Sequence, residues 1–207
     1  MHVALIGATG NAGSRILAEL VRRGHSATAI VRNVARVPQL PGVAAKSGDV
    51  LDETGLAVLL KGHDAVISSV HFATGDPARL IEAVRTSGVQ RYLVVGGAGS
   101  LELALGTFPL GLKLIDAPSF PQAYKQEAAA GCTFLDLLRD ETELDWTFLS
   151  PPALLIPGER TGKFRLGTDL LLQNEQGSSI SLEDYAIALV DELEKPAHSR
   201  QRFTVGY

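Results

Sequence analysis

The segment GATGNAG, residues 7–13, constrains the fold more than any other stretch of the chain. It follows the apolar run VALI and precedes apolar residues at helical spacing, so it occupies a strand-to-helix turn. Backbone N–H groups at the start of such a helix point toward an anion, and glycines let a pyrophosphate approach. The spacing is G-x-x-G-x-x-G rather than the commoner G-x-G-x-x-G. A tight turn that uses glycine only for backbone freedom is the alternative, but the flanking pattern favours an anion site.

The alternation of apolar runs and helical segments along the chain predicts the architecture. The predicted strands cover residues 2–7, 26–32, 43–49, 64–70, 91–97 and 145–151. The predicted helices cover residues 11–23, 53–61, 77–87 and 122–141. Continuous apolar strands separated by helices are typical of a parallel sheet that is covered on both faces. We therefore predict an α/β fold, a Rossmann-type doubly wound sheet with its ligand crevice at the carboxyl ends of the strands.

The alternating pattern stops after Pro151. Residues 162–180 are typical of a hairpin or of a pair of short strands. Ser181 is a suitable N-cap for a helix over residues 181–196, and Asp184 at its third position indicates a capping box. The run RFTVG then predicts a last strand. We expect this tail to be a small C-terminal cover over the crevice.

Length and composition narrow the class of protein. The 207 residues fit a single domain, 1–207, with residues 151–207 on the substrate side. The net charge of -4 offers no basic surface for nucleic acid or for an anionic membrane. No run approaches the roughly 20 apolar residues of a membrane span, and the start of the chain does not resemble a signal peptide. Cys132, the single cysteine, fits a reducing cytoplasm, and the five histidines lack the spacing of metal ligands.

The end of the second predicted strand indicates which dinucleotide the crevice prefers. An acidic residue there would bind the ribose 2′-hydroxyl of NAD, whereas arginine accommodates the 2′-phosphate of NADP. This chain has Arg32 at that position and Arg36 about one helical turn later. Two solvated surface arginines are the alternative explanation. We expect NADP(H) to be preferred, with NAD(H) as a second cofactor.

The chain resembles the atypical short-chain dehydrogenase/reductases over essentially its whole length. It is most similar to their NADH-flavin reductase group, which is related to NmrA-like proteins and to biliverdin-IXβ/flavin reductase. The segments that carry the resemblance are GATGNAGSRI, VRN, SGDVLD, VVGGAGSLE and WTFLSPPALLIPGERTGKFRLG.

The resemblance and the glycine segment together imply a set of cofactor-binding residues. Asp49 and Val50 would flank the adenine, and residues 68–70 would contact the adenosine side. Residues 151–154 would contact the nicotinamide. A turn aspartate, a strand end and a Pro-Pro stop are the alternatives. The full set is Gly7, Thr9, Gly10, Asn11, Ala12, Gly13, Arg32, Arg36, Asp49, Val50, Ser68, Ser69, Val70, Gly96, Gly97, Pro151, Pro152, Ala153 and Leu154.

The helix after the fifth predicted strand departs from the superfamily pattern. Ordinary members carry Tyr-x-x-x-Lys there, where the tyrosine donates a proton and the lysine lowers its pKa. Here Pro121 stands four residues before Lys125, and Tyr124 is adjacent to that lysine. Adjacent helical residues point about 100° apart, so this pair cannot be assumed to replace the missing one.

An acceptor that takes its proton from solvent would need no such tyrosine. We therefore expect an NAD(P)H-dependent reductase of a flavin, quinone or similar conjugated acceptor. Ser100 and Tyr124 are the candidate catalytic residues, as a hydrogen-bond donor and as a hydroxyl or aromatic wall. Their alternatives are a serine in a glycine turn and a core tyrosine, and Cys132 is expected to be a buried helix residue.

The sequence also has to be weighed against functions other than a reductase. A non-catalytic, NmrA-like sensor of bound dinucleotide would also lack the tyrosine and lysine. A sugar-nucleotide epimerase or dehydratase is disfavoured by the missing tyrosine and by the short C-terminal portion. The leucine-rich loop over residues 101–118 could line the acceptor pocket or pack against a second subunit in a homodimer.

Overall fold

The computed structural model describes residues 1–104 and 111–207. The leucine-rich loop over residues 101–118 therefore lies partly outside the described residues. The strands are β1 (His2–Ile6), β2 (Ser26–Val31), β3 (Val43–Ser47), β4 (Ala65–Ser68), β5 (Arg91–Val95), β6 (Asp145–Ser150), β7 (Leu154–Ile156), β8 (Arg165–Gly167), β9 (Ser179–Ser181) and β10 (Gln201–Gly206). The helices are α1 (Asn11–Arg22), α2 (Glu53–Leu60), α3 (Pro77–Ser87), α4 (Lys125–Asp140) and α5 (Leu182–Glu194).

The main sheet has eight strands in the order β3-β2-β1-β4-β5-β6-β10-β8. Every neighbouring pair is parallel except β10 with β8. The strand order reverses between β1 and β4, because the chain returns across β1 after β3. In open α/β sheets ligands bind outside the carboxyl ends of the strands at such a reversal. The predicted Rossmann-type doubly wound sheet is confirmed.

Two apolar layers hold the sheet between the helices. Val3 and Leu5 of β1 belong to the layer shared with α1 and α5, whereas Ala4 and Ile6 belong to the layer shared with α2, α3 and α4. This alternation follows from the two-residue period of side chains along a strand. Both faces of β1 are therefore buried, as its continuous apolar sequence predicts.

The short strands of the C-terminal tail lie in two different sheets. β8 and β9 do not pair with each other, because β8 pairs with β10 and β9 pairs with β7. β10 lies beside β6 in the main sheet, and α5 packs against α1. The predicted short strands are therefore present but do not form the hairpin that was the other possibility, and β10 and α5 belong to the layered core. Among the described helices, none has the length and apolar character needed to cross a membrane.

The N-cap of α5 is confirmed, but its capping box is wrong. The Oγ of Ser181 accepts a hydrogen bond from the backbone N–H of Asp184 at 2.9 Å. The Asp184 carboxylate instead accepts hydrogen bonds from the backbone N–H groups of Thr161 and Gly162, each at 2.8 Å. It also accepts from the hydroxyl of Tyr207 at 2.9 Å. This fully buried carboxylate thus ties the loop after β7 to α5 and to the end of the chain.

Candidate dinucleotide-binding site

The glycines of residues 7–13, here called the glycine turn, are required for different reasons. A Cβ added at Gly7 would lie 2.1 Å from the carbonyl oxygen of Ser69, and Gly7 has a φ of +82°. A Cβ at Gly13 would lie 2.2 Å from the carbonyl oxygen of Gly7. Gly10 has an extended conformation, and its nearest obstacle is 3.4 Å away. The fold alone therefore explains Gly7 and Gly13, whereas Gly10 leaves space for something outside the chain.

The start of α1 is chemically suited to an anion. Gly10 is its N-cap and is exposed, no described side chain caps this end, and the first turn contains no acidic residue. The N–H groups of the first turn cannot find partners within the helix, and they carry the positive end of its dipole. A turn with these free donors and no side chain at Gly10 fits a pyrophosphate.

Arg32 and Arg36 stand where the sequence predicts a phosphate contact. Arg32 follows β2 directly, and Arg36 ends a short 3₁₀ turn, residues 34–36, that the Asn33 side chain caps. Both arginines are exposed. The ion pairs of the described residues involve other arginines. Two cations at the end of β2 without a carboxylate partner in the described chain are suited to a 2′-phosphate.

The predicted residues after β3 and β4 differ in their availability. Asp49 is exposed after β3, but its Oδ1 accepts a hydrogen bond from the backbone N–H of Leu51 at 3.0 Å, so it also shapes the turn. Val50, Ser69 and Val70 are half-buried along the ends of these strands. Ser68 is buried inside the sheet. Its hydroxyl lies 2.9 Å from that of Tyr92, so this side chain serves the core.

The ends of β5 and β6 lie side by side, as predicted. A Cβ at Gly96 would lie 2.4 Å from the ring of Phe148, so packing requires that glycine, whereas Gly97 has more room. Pro151 and Pro152 are buried directly after β6. Ala153 and Leu154 are exposed beyond them, and the Ala153 N–H donates to Ser178 Oγ at 3.1 Å.

The two candidate catalytic residues have different environments. Ser100 is buried, and its Oγ accepts a hydrogen bond from Nη1 of Arg202 at 3.3 Å. Tyr124 is 65% exposed and immediately precedes α4, so the alternative of a core tyrosine is wrong. Lys125 is the exposed first residue of the helix. Cys132 is only half-buried in α4, and that burial raises the pKa of its thiol.

The other three tyrosines of the chain are engaged within the fold. Burial raises the pKa of both Tyr92, which contacts Ser68, and Tyr185, which donates to the carbonyl of Leu149 at 2.6 Å. Tyr207 donates to the carboxylate of Asp184. Tyr124 is therefore the one tyrosine of four with an exposed ring, and its neighbour Lys125 is adjacent rather than one turn away.

A surface groove of about 330 Å³ lies along α1 and is also lined by Arg160 and Glu183. Its charged side chains pair with one another, since Arg15 lies 3.1 Å from Glu183 and Arg160 lies 2.7 Å from Glu19. A groove whose charges are already neutralised offers little to a charged ligand. The crevice at the strand ends is therefore the better candidate site.

The sequence does not predict two of the contacts near the crevice. Glu127 of α4 accepts hydrogen bonds from the backbone of the loop after β4, and Arg202 of β10 pairs with Asp169 next to Ser100. Both contacts join residues that are more than 30 positions apart, and no local pattern marks them. Only the position of Glu127 in the first turn of a helix could have drawn attention to it.

Comparisons with known proteins show what the chain is similar to. A family model described as NAD(P)H-binding matches residues 7–196. The uncharacterized protein YwnB of Bacillus subtilis is 42% identical over 99% of this chain and 98% of its own length. A Bacteroides thetaiotaomicron structure described as a "putative epimerase" is 39% identical with a TM-score of 0.92, covering 100% of this chain and 96% of that one. A Streptococcus pneumoniae structure described as a "putative NADH-flavin reductase" is 38% identical with a TM-score of 0.82, covering 100% and 99%.

The family match and the structure described as a "putative NADH-flavin reductase" support an NAD(P)H-dependent oxidoreductase. The glycine turn lies at the strand reversal of a doubly wound sheet, which is where a dinucleotide binds in such folds. We conclude that the chain belongs to the NAD(P)H-binding family.

Proposed function

We propose that the protein is a reductase that transfers hydride from NADPH, and less efficiently from NADH, to a flavin, a quinone or a similar conjugated acceptor. The observation that carries this proposal is the combination of an open glycine turn with tyrosines unsuited to a Tyr-x-x-x-Lys role. Tyr92, Tyr185 and Tyr207 are engaged in the fold, and Tyr124 is adjacent to its lysine.

In this proposal each part of the crevice binds a different part of the cofactor. The N–H groups at the start of α1 bind the pyrophosphate, and Arg32 and Arg36 bind the 2′-phosphate. Val50 and Val70 border the adenosine, and residues 151–154 border the nicotinamide. The bound dinucleotide supplies the hydride, so the protein must hold the acceptor nearby and exclude water from the reacting atoms.

The environment of the candidate proton donors favours a conjugated acceptor. Reduction of an isolated carbonyl to an alcohol needs a positioned acid. The Ser100 hydroxyl is buried against Arg202, and the exposed Tyr124 has no lysine one turn away to lower its pKa. A flavin or quinone can stack beside the nicotinamide and take its proton from water. We propose that Tyr124 contributes an aromatic wall and that residues 151–207 supply the acceptor side.

The test is NADPH oxidation by the purified protein with FMN, riboflavin and quinones, compared with simple aldehydes and ketones. The proposal predicts oxidation that depends on the conjugated acceptors and slow turnover of the carbonyl compounds. A Gly10→Val variant, checked for folding by circular dichroism, serves as the matched control and should be inactive. Fast reduction of aldehydes or ketones alone would contradict the acceptor class. Tight NADPH binding without turnover would favour the dinucleotide sensor instead.

A further inference from the structure

The loop after β4, residues 69–75, contacts both the glycine turn and α4. At its start the carbonyl oxygen of Ser69 occupies the space where a side chain on Gly7 would lie, at 2.1 Å from the added Cβ. The loop therefore packs directly against the glycine turn. The backbone N–H of Ser69 donates to the carbonyl of Ile6 at 2.9 Å, which keeps this end in register with β1.

The middle of the loop is anchored by an aromatic ring. Phe72 is 9% exposed, and its ring packs edge-on against Phe134 with centroids 5.5 Å apart. Its ring also stacks with Phe148 at 6.1 Å. Gly131 of α4 makes room for it, since a Cβ at that position would lie 3.0 Å from the Phe72 ring. The loop is thus seated between α4 and the main sheet.

Glu127 completes this attachment from the first turn of α4. Its Oε1 accepts a hydrogen bond from the backbone N–H of Phe72 at 2.8 Å, and its Oε2 accepts one from Ala73 at 2.9 Å. His71 Nδ1 lies 3.4 Å from the same carboxylate. Two hydrogen bonds to one ionised carboxylate are stronger than neutral ones and fix the backbone direction. A single side chain of α4 therefore holds two consecutive peptide groups of the loop.

We infer that Glu127 is a positioning residue for dinucleotide binding, which rests on the function proposed above. It acts through the loop: by holding residues 72 and 73 against α4, it fixes the Ser69 carbonyl against Gly7 and so keeps the glycine turn in its binding shape. Glu127 also lies three residues after Tyr124, the proposed acceptor wall, which immediately precedes α4.

The test compares Glu127→Ala and Glu127→Gln with Asp136→Ala. Asp136 lies in the same helix, but it is exposed, and within the described residues its ion pair is with Arg139 one turn away. NADPH affinity is measured by calorimetry, which requires no turnover, and hydrogen exchange is measured at the Phe72 and Ala73 amides. Glu127→Ala removes both hydrogen bonds to the loop. We expect it to weaken NADPH binding about tenfold, less than the two hydrogen bonds themselves contribute, because the effect reaches the cofactor only through the loop. Glu127→Gln keeps one acceptor oxygen, so its NADPH affinity should fall by less.

The same experiments show how the inference could fail. In Glu127→Ala both loop amides should exchange faster, whereas Asp136→Ala should match the wild type in exchange and affinity. Unchanged NADPH affinity in a Glu127→Ala protein whose amides exchange faster would overturn the inference. Unchanged exchange would overturn it as well. If Glu127→Ala does not fold, Glu127→Gln carries the same comparison. Failure of the wild type to bind NADPH would instead refute the proposed function.

Discussion

Arg160, in the loop after β7, donates two hydrogen bonds to the buried carboxylate of Glu19 in α1. Nε lies 2.9 Å from Oε2 and Nη2 lies 2.7 Å from Oε1. Glu19 also accepts from Arg23 at 2.7 Å, and Arg23 in turn pairs with Asp191 and Glu194 around α5. The loop that follows the proposed nicotinamide contact is therefore held to the helix that begins at the glycine turn.

Replacing Glu19 by glutamine should destabilise the protein by about 2 kcal/mol. The carboxylate is only 4% exposed, and its loss leaves Arg23 and Arg160 without a buried counter-charge. The expected cost lies below that of a fully buried pair because Arg160 is partly exposed. Urea unfolding measures the change, with Glu82→Gln as the control, since Glu82 pairs with Arg85 on the surface. Equal stability of both variants would contradict this account.

The stabilisation by Glu19 should also depend on pH. Its hydrogen bonds with Arg160 lower the pKa of Glu19 from its usual 4.5. A carboxylate with a lowered folded-state pKa stabilises the fold above the unfolded pKa, and this stabilisation is lost as the pH falls through the folded value. The stability difference between wild type and Glu19→Gln should therefore be full at neutral pH and narrow below about 4.5. A constant difference across that range would argue against the ion pair as its source.

Gly10 and Gly13 should respond differently to alanine. Gly13→Ala places a Cβ 2.2 Å from a backbone oxygen, so we expect a strong loss of thermal stability. Gly10→Ala meets nothing closer than 3.4 Å in an extended conformation, so the fold should remain stable. The Gly10→Ala variant should nevertheless bind NADPH more weakly, because its methyl group would meet the pyrophosphate. Calorimetry beside thermal unfolding separates the two effects, and full-affinity binding by Gly10→Ala would refute the anion site.

Arg32 and Arg36 should determine the preference for NADPH over NADH. Arg32→Glu places a carboxylate opposite the 2′-phosphate, so it should weaken the binding of NADPH much more than that of NADH. Arg36→Ala should also weaken NADPH binding more than NADH binding, but by a smaller factor. Lys61→Glu, at the exposed end of α2, is the control for a general change of charge. Equal losses of both dinucleotides in Arg32→Glu would eliminate the 2′-phosphate assignment.

Tyr124 should act through its ring rather than its hydroxyl. Tyr124→Phe keeps the ring and should retain acceptor-dependent turnover with little change in kcat. Tyr124→Ala removes the wall and should raise KM for the acceptor more than it lowers kcat. Steady-state kinetics with FMN and a quinone measure both constants. A large loss of kcat in Tyr124→Phe would identify the hydroxyl as a proton donor.

The sequence predicts the sheet and the position of the crevice because both depend on local patterns. The apolar run before Gly7 and the helical spacing after Asn11 are short-range features. The six predicted strands, β1 to β6, lie side by side in the main sheet. The turn between them follows from the glycine spacing. The parallel order follows from the alternation of strands and helices.

The remaining contacts depend on long-range packing that local patterns do not encode. Ser68 is predicted to contact the adenosine side of the cofactor, and its hydroxyl meets Tyr92 on the neighbouring strand. A hairpin would pair β8 locally, but β10 offers it the free edge of the main sheet. Asp184 was assigned to a helix cap, yet its carboxylate binds a loop more than 20 residues earlier. Each of these outcomes requires knowing which elements become neighbours.

The most direct test of the central claim is an anaerobic single-turnover reaction of the protein with NADPH and FMN or a quinone. NADPH deuterated at the transferred position should react more slowly, and loss of its absorbance should match the acceptor reduced. The rate should exceed that of the same mixture without protein and should disappear in Gly10→Val. Tight NADPH binding with acceptor reduction no faster than in the protein-free mixture would contradict a reductase.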